Sequence, residues 1–101
     1  MKTITNKQTQ IATRLDSTGA PVFATYGDLL LITINMAPEQ GFSITDIRTR
    51  LKIAGEIESG KGGDMSFEDS EITVLKIAFD KFKWTAVHQD LVDLSDILNT
   101  L

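Results

Sequence analysis

Apolar residues recur along this chain at two different periods. From Thr3 to Ala24, β-branched residues alternate loosely with polar ones. From Thr25 onward, apolar positions step by three and four, as on one side of an α-helix. The clearest run is Ser66 to Leu101. Within it Ile72, Leu75, Phe79 and Phe82 form one stripe, while Glu71, Lys76, Asp80 and Lys83 fall off it. Ser66 is a suitable N-cap, and Glu68 and Asp69 put negative charge in the first turn, where the helix dipole favours it. A second stripe, Val87, Leu91, Leu94, Leu98 and Leu101, follows a break near Trp84 and Thr85, with Thr85 as its cap. So short a join predicts an antiparallel helical hairpin.

Two further helices are expected upstream. Thr25 and Asp28 form an approximate capping box ahead of an apolar segment that reaches Ala37 and that Pro38 stops. β-branching at Ile32, Thr33 and Ile34 makes a buried strand the competing reading. The cap favours a helix, placed at the centre of the core. Ser43 and Asp46 repeat the cap pattern, with Phe42 set to pack on Ile47 as a hydrophobic staple. Ile44, Ile47, Leu51, Ala54 and Ile57 then form the stripe expected to be buried, and Arg48, Arg50, Lys52, Glu56 and Glu58 the exposed face. Gly55 inside this pattern costs about 1 kcal/mol against alanine. Asp16 to Pro21 (DSTGAP) carries turn chemistry, and the glycines of Ser59 to Asp64 make a flexible break. The expected fold is α-dominant α+β in a single domain over residues 1–101. An N-terminal β-hairpin or extended arm at 1–24 precedes a helical core at 25–101, with about four helices and a C-terminal helical hairpin.

Composition narrows the function classes. A chain of 101 residues buries a core without staples, and the absence of cysteine excludes disulfides, cysteine-ligated zinc, iron–sulfur clusters and thiol catalysis. The longest apolar run, Leu29 to Ile32, is too short to span a bilayer, and Met1 to Gln10 lacks the apolar region of a signal peptide. A cytoplasmic location and no membrane association are therefore expected. Ten basic against fourteen acidic residues give a net charge of −4 with no basic block, which disfavours nucleic acid as a partner.

Candidate chemistry is sparse. Gly55 to Gly62 (GEIESGKG) resembles a P-loop, but Gly62 stands where the hydroxyl should be, Glu56 and Glu58 oppose an anion, and a helical pattern precedes it. It reads as a glycine-rich connector. His88, the one histidine, lies near Asp90 but has no converging second group. Asp64, Glu68, Asp69 and Glu71, like Asp90, Asp93 and Asp96, lack the alternating spacing of a calcium loop and read as solvated faces or helix-start charges. No catalytic residue, cofactor or metal site is expected, and the chain reads as a non-enzyme. What remains is interaction. Phe82 and Trp84, with Leu98 and Leu101, are the candidate partner interface at the ends of the terminal hairpin, for a protein partner or self-association into an oligomer. The alternative is a small helix-turn-helix-like transcriptional regulator, in which Arg48, Arg50 and Lys52 contact DNA.

The layout as a whole resembles small uncharacterised phage- and prophage-encoded proteins. The resemblance is carried by the turn at Asp16 to Pro21, the helix start at Thr25 to Leu30, the second helix at Ile44 to Ile57, and the acidic entry at Phe67 to Glu71 into a terminal helical pair. It implies a phage-type accessory or structural subunit, in the host cytoplasm or the virion, and brings no activity with it.

Overall fold

A computed structural model describes residues 1–37, 40–85 and 87–101. The elements run β1 (Lys2–Thr5), β2 (Gln8–Leu15), β3 (Pro21–Thr25), α1 (Tyr26–Asn35), α2 (Ile44–Ser59), β4 (Asp64–Phe67), α3 (Asp69–Lys81) and α4 (Gln89–Thr100). The fold is α+β, with four helices and four strands among the described residues. The strands form two two-stranded antiparallel sheets, β2 with β3 and β1 with β4.

The β2–β3 hairpin turns where the sequence places its turn residues. One Asp16 carboxylate oxygen accepts the Thr18 N–H, the Thr18 hydroxyl and the Ala20 N–H, and Gly19 takes the left-handed conformation. These donors, the Thr18 hydroxyl foremost, hold the Asp16 carboxyl below its ordinary range. β1 does not belong to this arm. It pairs with β4, Ile4 opposite Met65, so the first residues join the helical body. Ile4, Met65 and Phe67 are completely buried there. The link from β1 to β2 is fastened by Asn6. Its N–H donates to the Gly63 carbonyl and its side-chain oxygen accepts the Gly27 N–H, both at 2.8 Å.

α1 starts with a full capping box: Thr25 Oγ1 accepts from Asp28 N–H, and the Asp28 carboxylate accepts from Thr25 N–H. It buries Leu29, Leu30, Thr33 and Ile34, but Ile32 faces outward, so the helix is not enclosed all round. Pro38, the expected stop, lies outside the described residues. Ser43 caps α2 as expected, accepting from Asp46 N–H.

Two other caps move. Ser66 sits inside β4 opposite Thr3, and Glu68 takes the cap position of α3, its N–H bonded to Glu71 Oε1. Strand pairing outweighs the local cap because Met65 and Phe67 alternate into the core. α4 is capped by His88, whose Nδ1 accepts the Asp90 N–H. Thr85 lies upstream, and Val87 is fully exposed rather than in the buried row. Leu91, Leu94 and Leu98 are buried as expected.

α2 is rolled relative to the expected stripe. Ile57 enters the core and Ala54 packs on it as expected, but Ile53 joins them from outside the stripe, while Ile44, Ile47 and Leu51 face solvent. Its exit is tight: a Cβ on Gly60 would lie 2.5 Å from Met65 Cγ and 2.8 Å from Met65 Cα. Gly55, by contrast, faces open space. Gly60→Ala should therefore lose roughly 1–3 kcal/mol by overpacking, and Gly55→Ala should gain about 0.5–1 kcal/mol from helix propensity. Urea unfolding midpoints of the two variants check both signs.

Candidate interaction surface

On α2, Ile44, Ile47 and Leu51 are spaced three and four apart and make one ridge on the side away from Ile53 and Ile57. Ile44 is 66% exposed and Leu51 67%. Glycine at 55 continues this face with no side chain above it. Half-buried Phe42 flanks the ridge, sharing a shallow hollow with Ile47, Leu51 and Ala54. Phe42, the expected staple, thus lines an outer hollow with Ile47 rather than a part of the core.

Arg50 lines that hollow and also a larger cleft of about 390 Å³ between the end of α1 and the end of α3. The cleft walls include Met36, Ile77, Ala78 and Phe82, with Lys81 as a second cation. The guanidinium of Arg50 is held in place: Nη1 donates to the Ile34 carbonyl at 2.8 Å, and the group stacks 4.5 Å over the Phe42 ring. No aspartate or glutamate is among the described residues that line the cleft.

The four hairpin-end residues do not form one surface. Leu98 is 1% exposed and belongs to the core, which corrects its place in the expected interface. Leu101 lies by the start of α3, where its carbonyl accepts from Lys76 and where Asp69 and Ile72 are neighbours. Phe82 and Trp84 lie at the opposite end, their rings 4.4 Å apart, with Trp84 also 5.0 Å from Phe79. An antiparallel hairpin separates them by the length of α3. Of the four, Phe82 alone lines the Arg50 cleft.

The three basic residues proposed for DNA diverge as well. Arg48 is exposed, Arg50 is turned inward as described, and Lys52 pairs with Glu68 at 3.2 Å. Positions 48 and 50 are about 200° apart on a helix, so the three make no single phosphate-facing row. Gly55 to Gly62 forms the end of α2 and the following turn, the reverse of the strand-to-helix order a P-loop needs. His88 serves the α4 cap, and the Asp90 carboxylate accepts the Gln10 N–H. Among the described residues no group of three or more histidine or acidic side chains is arranged to hold a metal ion, and no helix is long and apolar enough to cross a membrane.

Sequence reasoning missed one polar pair. Glu56 and Glu71, both expected to face water, lie against each other, Glu56 half-buried and Glu71 2% exposed; their buried Oε2 atoms can only accept as carboxylates and are partnered only when a proton lies between the two groups. Burial first, then the hydrogen bond and charge of Glu71, push the Glu56 carboxyl up to about 7; Glu68 adds to this and Lys52 opposes it. A proton on one of the two carboxyls relieves the repulsion between them. The sole sequence signal was Glu56 lying three residues from Ile53 and one from Ile57, near the face that turned out to be buried.

No family model matches this chain, and comparisons with curated proteins and with solved structures find no match either.

Two outcomes follow from this geometry. The folded state keeps a proton on Glu56 that the unfolded chain releases near 4.5, so this group's stabilisation is fully present at low pH and is lost as pH rises from about 4.5 through about 7. Glu56→Gln should flatten that slope and be more stable than the parent at pH 8 by roughly 1–3 kcal/mol, read from urea midpoints at pH 5 and pH 8. Leu98→Ala should cost about 2–5 kcal/mol, whereas Leu51→Ala should change stability by no more than about 0.5 kcal/mol, measured in the same way.

Proposed function

We propose that this protein is a non-enzymatic protein–protein interaction module that docks a partner on the outer face of α2. One observation carries the reading: a surface helix holds its core with Ile53 and Ile57 and spends a second apolar row, Ile44, Ile47 and Leu51, on solvent. A contiguous apolar row of this kind needs a covering surface to be of use, and its three-and-four spacing suits a helix laid alongside it. Aromatic and arginine neighbours, Phe42 and Arg50, are the residue types that anchor interfaces.

A different protein fits this face better than a second copy. A two-fold contact centred on Ile47 and Leu51 brings residues near the axis against themselves. Arg48 is exposed and borders the ridge beside Ile44, so a two-fold contact here would bring two like charges to the flank of the interface. The role as accessory or structural subunit of a phage-type assembly rests on the sequence resemblance alone.

Leu51→Glu on the full chain is the test. Its circular dichroism and unfolding midpoint should match the parent, because the side chain touches little. An immobilised parent should then retain from a host lysate at least one protein that the Leu51→Glu chain does not, at a loss of tenfold or more. A retained set identical for both chains would argue against α2 as the docking face.

A further inference from the structure

The ridge alone does not choose a partner; the residues around Arg50 do. Resting on the α2 docking face described above, we propose that the partner is an amphipathic helix whose acidic side chain enters the cleft between α1 and α3 and is bound by Arg50 and Lys81. Arg50 lines both the ridge hollow and the cleft, so one partner segment crossing Ile47 and Leu51 reaches it.

Three features argue for a carboxylate carried on an apolar segment. The guanidinium has five N–H donors, and the Ile34 carbonyl engages one terminal nitrogen. Stacking on Phe42 and that bond fix the fork before any partner arrives, which removes much of the ordering cost of a two-point grip on a carboxylate. Two of the chain's other cations have acids: Lys52 pairs with Glu68 and Lys61 with Glu58. On a chain of net charge −4, Arg50 and Lys81 bring two cations to the lining of one cleft. Finally, the walls Met36, Ile77 and Phe82 are apolar, and the volume of about 390 Å³ admits several carbon atoms beside the charge. A free inorganic anion would leave those walls unused.

The experiment uses the full ¹⁵N-labelled chain and two synthetic 18-residue helical peptides. Both carry leucines at three-and-four spacing; one has glutamates flanking the leucines and the other glutamines at the same places. The glutamate peptide should shift the amide signals of Ile47, Leu51, Met36 and Ile77 together. The glutamine peptide should bind about tenfold more weakly, the size of one charge-assisted contact. Arg50→Met should remove that preference, and Lys81→Met, at an exposed position away from the Ile34 contact, should reduce it without disturbing the fold. Hexanoate serves as a third probe for a small-molecule site. Equal binding of the two peptides, or a preference that survives both substitutions, overturns the acidic anchor and leaves the ridge as the docking face. Cleft signals that respond to hexanoate as strongly as to the peptide overturn the protein partner in favour of a small carboxylate. Shifts at neither surface overturn this inference and the docking face together.

Discussion

Asn6 is the point at which three separate parts of this chain are joined. Its backbone N–H holds the turn after α2 through Gly63, and its side chain holds the first turn of α1 through Gly27. A Cβ on Gly27 would lie 3.0 Å from both Asn6 Nδ2 and Ile57 Cγ2, so the start of α1 packs tightly on the Asn6 and Ile57 side chains at this junction. With Gly60 pressed on Met65 one turn away, the end of α2 has little freedom to rotate. Its roll is thereby set: Ile53 and Ile57 go inward, and the ridge follows outward by helical geometry.

That roll links folding to the proposed interaction. The inner row stabilises the domain through burial, and its two isoleucines suffice because β1, β4, α1 and α3 supply Ile4, Met65, Phe67, Leu30 and Leu75 around them. The outer row contributes little to the fold and is free to serve a partner. Arg50 sits at the boundary between the two roles. It is fastened to α1 through Ile34 and stacked on Phe42, yet it faces the cleft that α1 and α3 enclose.

What could be read in advance was what depends on near neighbours in sequence. The caps at Thr25 and Ser43 involve a side chain and an N–H three residues on, and both form as expected. The Asp16 turn is equally local. Ser66 misled because its helix-start chemistry competes with a strand whose partner, β1, is some sixty residues away; the alternation of Met65 and Phe67 was the signal for that strand. Only part of the α2 stripe was legible: Ala54 and Ile57 face the core as expected, but Ile53, outside the expected stripe, joins them while Ile44, Ile47 and Leu51 turn outward, because the packing of β4 and α1 against the end of α2 sets its roll. The same error displaced Glu56 and Arg50, whose surroundings come from Glu71 and Ile34 on other helices. Assigning an interface to Leu98 failed for a different reason: its row was recognised, but how completely α4 is covered depends on packing that spacing does not reveal.

The bond from the Gln10 N–H to the Asp90 carboxylate reaches beyond the contact it makes. A two-stranded hairpin has two open edges, each a template onto which a strand of another molecule can add. The Gln10 N–H points away from β3 and would be the first rung of such an addition. Occupied by a charged acceptor on α4, it is withdrawn from that use at the base of the hairpin, where β2 lies against the body. Farther out, Thr13 and Arg14 are exposed and polar, which makes the remaining edge a poor seed. One carboxylate on a helix eighty residues away thus closes one rung of the β2 edge at the base of the hairpin.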